Sequence, residues 1–255
     1  MGPPAVGRNQ HQAGACFEGR GCYRVVMRRF FTPLCVRLYL LLALCLVVDF
    51  AWPHAMRSEW NRERLYRQML TSAGKERIAA AEQLVRYDGQ EQLLKALRSD
   101  SLSLRTVAVS ALFDLWMADA SEEAALILRV ADSSIERKNA KGALNHLTRL
   151  TREYPFFAEG WNRRATLLWQ LGEVEKALAD SRKAVLLNPD HFAAWQGMGM
   201  CHLRLGELSA AVKAFQNALK LMPHDRATLR NLQWCEEMLR REKRESKPPT
   251  TDEIV

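Results

Sequence analysis

The sequence predicts an all-α fold: an α-solenoid of stacked helix-turn-helix units with an N-terminal hydrophobic signal or anchor helix. Three observations support this prediction. Residues 161–189 and 195–223 repeat one pattern at a fixed interval, apolar residues recur at helical spacing within 57–153, and an unbroken apolar run occupies 38–48. A fixed period of about 34 residues is typical of stacked supersecondary units. Such a stack presents a surface and has no built-in catalytic centre, so the pattern favours a binding function.

Composition agrees with a folded protein and argues against a nucleic-acid partner. The chain has 255 residues, of which 48% are hydrophobic and 26% charged, values that ordinary globular proteins share. The net charge is +8, but residues 1–48 hold six arginines, no lysine and one acidic residue, which leaves +5 in the first fifth of the chain. The late basic run at 240–244 is interrupted and flanked by glutamates, which is typical of a solvated helix end. We therefore predict no nucleic-acid binding.

The N-terminal segment is the first element, and its role is left open among three alternatives. The apolar run at 38–48 has the length of a signal-peptide core, and its extension to residue 52 gives an anchor that stays in the membrane. A buried or transit helix is the third alternative. We assign 1–37 as a basic leader, either disordered or the product of an over-extended gene start, so that the true start is Met1 or Met27. Residues 38–52 are then the signal peptide or membrane anchor.

The next region, 57–118, has loosely helical apolar spacing with a break near 71–74. Within it, 91–118 resembles one HEAT-type helical hairpin: a short apolar helix, a turn containing Asp100, and a helix with Arg105 near its start. One such hairpin cannot bury its own apolar face, so we expect it to stack on the helices that come after it in the chain.

A degenerate unit, 121–157, precedes the two clear repeats. Its first helix is predicted from Ser121, the N-cap, to about Ile135, and its second runs over 139–153. In the second helix, three apolar residues at i, i+4 and i+7 form one buried face. They are Ala143, Leu147 and Leu150. Proline ends all three units at one constant interval, at Pro155, Pro189 and Pro223.

The clear repeats place bulky, small and turn-forming residues at fixed offsets. These residues are Trp161, Ala165, Gly172, Ala177, Ala184 and Pro189, then Trp195, Gly199, Gly206, Ala211, Phe215, Ala218 and Pro223. This pattern resembles the tetratricopeptide repeat (TPR) family, with Arg164 and Ser181 as departures, the latter where an aromatic is usual. The small residues allow close helix approach, and glycine allows a left-handed turn.

The resemblance covers 121–240 and implies a right-handed solenoid. Its parts are clear repeats at 158–191 and 192–225 and a capping helix at 228–243, followed by a disordered tail at 244–255.

The resemblance also implies a concave groove lined by the first helix of each unit. The groove candidates are Asn162, Thr166, Trp169, Gln196, Met200, Leu203 and Arg230, with Glu159, Ala193 and Ala227 at the helix starts. This strip of apolar and amide side chains suits an extended peptide or a partner helix. The alternative is that Trp169, Met200 and Leu203 pack on a neighbouring helix, on the HEAT-like hairpin or on a partner subunit.

The sequence argues against two functions, carboxylate-clamp binding and catalysis. Family members that clamp chaperone C-terminal carboxylates use lysine and asparagine, whereas the corresponding positions here hold Asn162, Thr166, Gly197, Ala227 and Asn231. We therefore expect no carboxylate-clamp chaperone binding. The histidines are scattered, and neither a metal-ligand spacing nor a phosphate loop nor a nucleophile elbow occurs, so we predict no enzyme, no catalytic or metal-binding residue and no cofactor.

The sequence thus predicts a membrane-anchored interaction module or assembly scaffold, with its repeats on the exported side, that binds an unidentified protein or peptide. The alternatives are a secreted or periplasmic repeat protein after signal cleavage, and an organellar assembly factor.

Overall fold

The computed structural model describes residues 33–46, 57–118 and 120–245, and every regular element in these ranges is an α-helix. The helices are α1 (Pro33–Leu46), α2 (Glu59–Thr71), α3 (Gly74–Arg86), α4 (Gln90–Ala96), α5 (Leu102–Ala118), α6 (Glu122–Glu136), α7 (Ala140–Glu153), α8 (Ala158–Gln170), α9 (Val174–Leu187), α10 (Phe192–Arg204), α11 (Leu208–Leu221) and α12 (Arg226–Glu245). The chain divides into two compact units, the first containing α1 and the second α2–α12.

Helix α1 has 14 apolar-rich residues, and the side chains described in it are exposed. It begins at Pro33, so residues 33–37 of the predicted leader are helical. Proline suits a first helical turn because its missing N–H would have no partner there. Of the helices described, none combines the length and the apolar character that a membrane crossing needs. Residues 1–32 of the leader and 47–52 of the hydrophobic segment lie outside the described residues.

Helices α2–α5 share one apolar core. Its fully buried members include Leu65, Leu84, Leu93 and Leu112, one from each helix. The chain breaks where the sequence predicted, since α2 ends at Thr71 and α3 begins at Gly74, whose φ of 55° is one that glycine adopts without strain.

The pair α4–α5 occupies the range of the predicted HEAT-like hairpin. Arg105 closes the turn between the two helices: its guanidinium donates to the carbonyl oxygens of Ser99 at 2.6 Å and Asp100 at 2.9 Å. An arginine near the start of the second helix therefore has a defined local role.

This hairpin packs against a loop that lies far along the chain, between α9 and α10. Trp116 of α5 stacks on His191 with ring centroids 4.5 Å apart, and Phe113 meets Phe192 edge-on at 5.6 Å. The amide of Gln90 donates to Asp190 at 3.0 Å. The hairpin thus buries its apolar face on the clear repeats.

Helices α6 and α7 form the degenerate unit. The Ser121 hydroxyl accepts the N–H of Ala124 at 3.1 Å, which confirms the predicted N-cap, and α6 ends one residue beyond Ile135. Asn139 caps α7 in the same way. The three residues of the predicted face are fully buried, which confirms the periodicity: Ala143, Leu147 and Leu150.

The clear repeats form the helix pairs α8–α9 and α10–α11. Their turns contain Gly172 and Gly206 at φ of 82° and 76°, so both glycines have the predicted left-handed conformation. In each repeat the first-helix indole N–H donates to the carbonyl of the preceding proline, from Trp161 to Pro155 at 3.0 Å and from Trp195 to Pro189 at 2.8 Å. The recurring spacing of tryptophan and proline therefore corresponds to a hydrogen bond between the start of one helix and the loop before it.

Small residues bring the helices of these pairs into contact. A Cβ placed on Gly199 would lie 2.5 Å from the nearest ring carbon of Phe215, which itself is buried. The repeat-defining alanines are buried as well: Ala165, Ala177, Ala184, Ala211 and Ala218.

The capping helix α12 is longer than predicted at both ends, spanning Arg226–Glu245 instead of 228–243. It starts earlier because the Asp225 carboxylate accepts the N–H of Thr228 at 2.9 Å and so satisfies its first turn. Residues 246–255 of the predicted tail lie outside the described residues.

Candidate functional site

Four of the seven groove candidates line one open pocket of about 220 Å³. Asn162, Thr166 and Trp169 come from α8 and Met200 from α10. The other lining residues are Ala165, Ser181, Gly197 and Cys201.

The repeat architecture explains why these side chains meet. Residues 162, 166 and 169 are spaced by four and three, which places them on one face of α8. Gly197, Met200 and Cys201 share one face of α10 for the same reason, and Ser181 of α9 lines the pocket between α8 and α10. No lining residue is ionised at neutral pH, since burial raises the pKa of the Cys201 thiol to about 11.

Trp169 is the largest side chain in the pocket. It is half-buried, and its ring packs against the small core around Leu168 and Leu178. The Arg204 guanidinium lies over the same ring, 5.5 Å from its centroid, in a cation–π contact. Among the described residues, Arg204 has no carboxylate within ion-pair distance, and the buried Trp169 indole nitrogen has no hydrogen-bond partner. Trp169 therefore belongs both to the core and to the pocket.

The other three candidates do not line this pocket. Gln196 is held at the start of α12, because its amide donates to Asp225 and to Thr228, both at 3.0 Å. Leu203 packs on the core around Phe215, which agrees with the alternative prediction for this residue. Arg230 is exposed.

Of the three helix-start positions, Ala227 is exposed, whereas Ala193 and Glu159 are covered to different extents. Ala193 packs against the core of α2–α5, and Glu159 is almost fully buried. The Glu159 carboxylate pairs with Arg163 at 2.6 Å and meets His191 Nε2 at 2.8 Å, while the Asn162 amide donates to it at 3.2 Å.

Burial alone would raise the pKa of Glu159, but the hydrogen bond from His191 and the charge and hydrogen bond of Arg163 outweigh it and hold that pKa below its usual value. The Ala194 N–H donates to His191 Nδ1 at 3.2 Å, so Nε2 carries the proton that points to Glu159.

A buried ion pair explains one departure from the repeat pattern. The Arg164 guanidinium makes two hydrogen bonds to Asp180, at 2.6 and 2.8 Å, and a third to Thr151 at 2.7 Å. It also lies over the Trp161 ring at 4.9 Å. Arg164 thus joins α7, α8 and α9.

Three residues of the groove region were missed by the sequence reasoning. Ser181 was noted only as a departure, although a small residue in place of an aromatic signals unfilled space. The repeat pattern did not indicate Arg204, whose guanidinium lies over the Trp169 ring. Trp234 of α12 is 51% exposed and stands one repeat period after Met200, so extending the repeat register into the capping helix would have found it.

Within the described ranges, no cluster of three or more histidine, cysteine, aspartate or glutamate side chains is arranged to hold a metal ion.

Comparison with known proteins identifies the repeats. A family model described as tetratricopeptide repeat matches residues 128–185 and 163–226. A TPR repeat-containing protein of Rhizobium etli is 32% identical over 124 residues, which cover 49% of this chain and 61% of the relative. DnaJ homolog subfamily C member 7 of Mus musculus is 32% identical over 103 residues, 40% of this chain and 21% of that protein. The chain therefore spans less than two thirds of the length of either relative.

Among solved structures, the Sgt2 TPR domain from Aspergillus fumigatus is 20% identical and has a TM-score of 0.47, covering 51% of this chain and 87% of that one.

Proposed function

Residues 128–226 are tetratricopeptide repeats, and on that premise we propose that the chain is a protein-interaction module that binds a peptide or partner helix in the groove between α8 and α10. One observation carries the proposal: Asn162, Thr166, Trp169 and Met200, which the TPR resemblance implied as groove residues, line one open pocket. We assign no enzymatic activity to this module.

The scale of the groove limits the partner. Glu159 is almost fully buried and bonded to Arg163 and His191, and Ala193 is partly buried against the core of α2–α5, so neither offers a free side chain at the starts of α8 and α10. The accessible part runs from Asn162 toward Trp169 and Arg204. A short extended segment or one helical turn with a few anchoring side chains suits such a surface better than a large folded partner.

The same groove lacks the cation pair of a carboxylate clamp. Of the corresponding positions, Asn162 donates its amide to Glu159, Asn231 donates to the Met200 sulfur at 3.3 Å, and the others are Thr166, Gly197 and Ala227. We therefore propose recognition of internal side chains in preference to a chain terminus.

For localisation we propose membrane attachment through residues 38–52, with the repeats on the exported side. The apolar, exposed side chains of α1 support attachment to an apolar environment. N-terminal sequencing of the mature protein tests it: a start beyond Ala51 would favour the secreted or periplasmic alternative. Import of a fusion carrying residues 1–55 into an organelle would favour the organellar one.

The groove is tested with a random peptide library displayed on phage and the full chain immobilised. Thr166 is exposed on the pocket, and Thr148 is exposed on α7 outside it, so Thr166→Glu and Thr148→Glu are a matched pair. Selected peptides should bind Thr166→Glu at least about tenfold more weakly, because a carboxylate beside apolar groups must be desolvated, and should bind Thr148→Glu as the unaltered chain. Equal binding to both variants would contradict the proposal.

A further inference from the structure

The two clear repeats differ at one core position, and the difference creates the pocket. Ser181 and Phe215 occupy the same place in their repeats, since each lies four residues after the second-helix alanine, Ala177 or Ala211. In the second repeat the Phe215 ring is buried and packs against Gly199, with Met200 and Leu203 around it. In the first repeat Ser181 leaves that volume empty.

The register shows that the pocket and the Phe215 site are equivalent. The residues that stand one repeat period after the eight lining residues are Gln196, Gly199, Met200, Leu203, Phe215, Asn231, Trp234 and Cys235. Four of these belong to the core cluster around Phe215: Met200, Leu203, Phe215 and Cys235. The equivalent cage of helices therefore holds an aromatic ring of its own in the second repeat and is open in the first, where Ala165 stands in place of Gly199.

We propose that the Ser181 pocket is a specificity pocket, which accepts one aromatic or long aliphatic side chain from a peptide that carries an acidic residue beside it. This inference rests on the proposed function and goes further, because it names the anchor that the partner must supply. The occupant takes the place that Phe215 fills in the second repeat.

Size and lining both support an apolar occupant. The pocket has a volume of about 220 Å³, larger than the ~150 Å³ of an apolar protein cavity that binds benzene. Its walls are formed mainly by apolar atoms of Trp169, Met200, Ala165 and Cys201. A polar or charged side chain would lose its hydration there without a charged partner among the lining residues.

Charge at the rim supports the acidic neighbour. The Arg204 guanidinium lies over the Trp169 ring and makes no ion pair within the described part of the chain. A carboxylate next to the anchoring side chain would supply the hydrogen-bond acceptors that this guanidinium lacks.

The test uses peptides selected from the phage library on the full chain and measures their affinity for three variants. Ser181→Phe fills the pocket with the chain's own ring, and Ser181→Leu fills it partly, which keeps the test valid if the larger residue disturbs folding. Ser209→Phe is the matched control, because Ser209 is exposed on α11 and lies outside the pocket.

Ser181→Phe should weaken binding by about 10- to 100-fold, the effect of losing one buried apolar side chain. Because Ala165 stands where Gly199 faces Phe215, the new ring meets a Cβ and the melting temperature should fall, as for Gly199→Ala. Ser181→Leu should have a smaller effect in the same direction, and Ser209→Phe none. Selected peptides should share one bulky apolar residue with an acidic neighbour.

Peptides that bind Ser181→Phe and Ser181→Leu unchanged, yet lose binding to Thr166→Glu, would overturn the pocket and leave the groove function standing. Selected peptides without a shared bulky residue would also overturn the pocket. A library that yields no binder would overturn the pocket and the groove function together.

Discussion

Replacement of Gly199 by alanine tests the helix packing of the second repeat. A Cβ at this position would lie 2.5, 2.6 and 2.9 Å from three ring carbons of Phe215. These distances are too short for carbon atoms in contact, and the buried ring has Met200 and Leu203 packed around it. The backbone or the ring must therefore shift.

The net effect follows from two opposing contributions. Alanine in a helix interior gains about 1 kcal/mol over glycine, whereas overpacking a filled core costs about 1–3 kcal/mol. Because the clash involves three atoms of a rigid ring, we place the cost at the upper end and expect Gly199→Ala to lower the free energy of unfolding by about 2 kcal/mol. For a unit of this size that lowers the melting temperature by about 4–8 °C.

Gly197→Ala is the control, two residues away on the same helix. Its added Cβ would meet only the Ser181 hydroxyl, at 3.5 Å, which is an ordinary contact. This variant should gain up to about 1 kcal/mol from helix propensity. Thermal unfolding followed by circular dichroism compares the two, and a Gly199→Ala variant as stable as Gly197→Ala would refute the packing argument. Phe215→Leu combined with Gly199→Ala should recover part of the loss.

Three further predictions concern caps and buried charges. Ser121→Ala removes the N-cap of α6 and should lower stability by about 1 kcal/mol in urea unfolding, whereas Ser121→Asp should keep it. Arg164→Met leaves Asp180 buried without its cation and should lower the free energy of unfolding by about 3–5 kcal/mol. Most of this loss should disappear in the Arg164→Met/Asp180→Leu double variant. An additive loss in the double variant would contradict the pairing. The pKa of Glu159 is lower in the folded chain than its ordinary ~4.3. Its stabilising effect is therefore present above that pH and is lost as the pH falls below it. Glu159→Gln should flatten the acid side of the plot of unfolding free energy against pH, and an unchanged plot would contradict the assignment.

Features that depend on local pattern could be predicted from the sequence. The helix cap at Ser121, and the left-handed glycines at 172 and 206, follow from residue type and spacing within one turn. The phase of the repeats also places Asn162, Thr166, Trp169 and Met200 on one surface, because the same repeat unit recurs without insertion.

Features that depend on distant contacts could not be predicted. Trp116 and His191 are separated in the sequence by two complete helix pairs, and no local pattern indicates that the hairpin α4–α5 packs on the loop between α9 and α10. Gln196 stands at a groove position of the repeat, yet its amide donates hydrogen bonds to Asp225 and Thr228. The pocket at Ser181 could not be predicted either, because it becomes evident only once Phe215 is seen to fill the equivalent space in the second repeat.

Methyl NMR of the ¹³C-labelled methionines, during titration with a selected peptide, tests the groove most directly. Met200 lines the pocket, whereas Met69 is buried in the N-terminal core and Met238 lies on α12, so one spectrum holds both the probe and its controls. The Met200 methyl signal should shift on binding while that of Met69 stays in place. A peptide that binds, shifts Met69 or Met238, and leaves Met200 unchanged would show that the partner docks elsewhere.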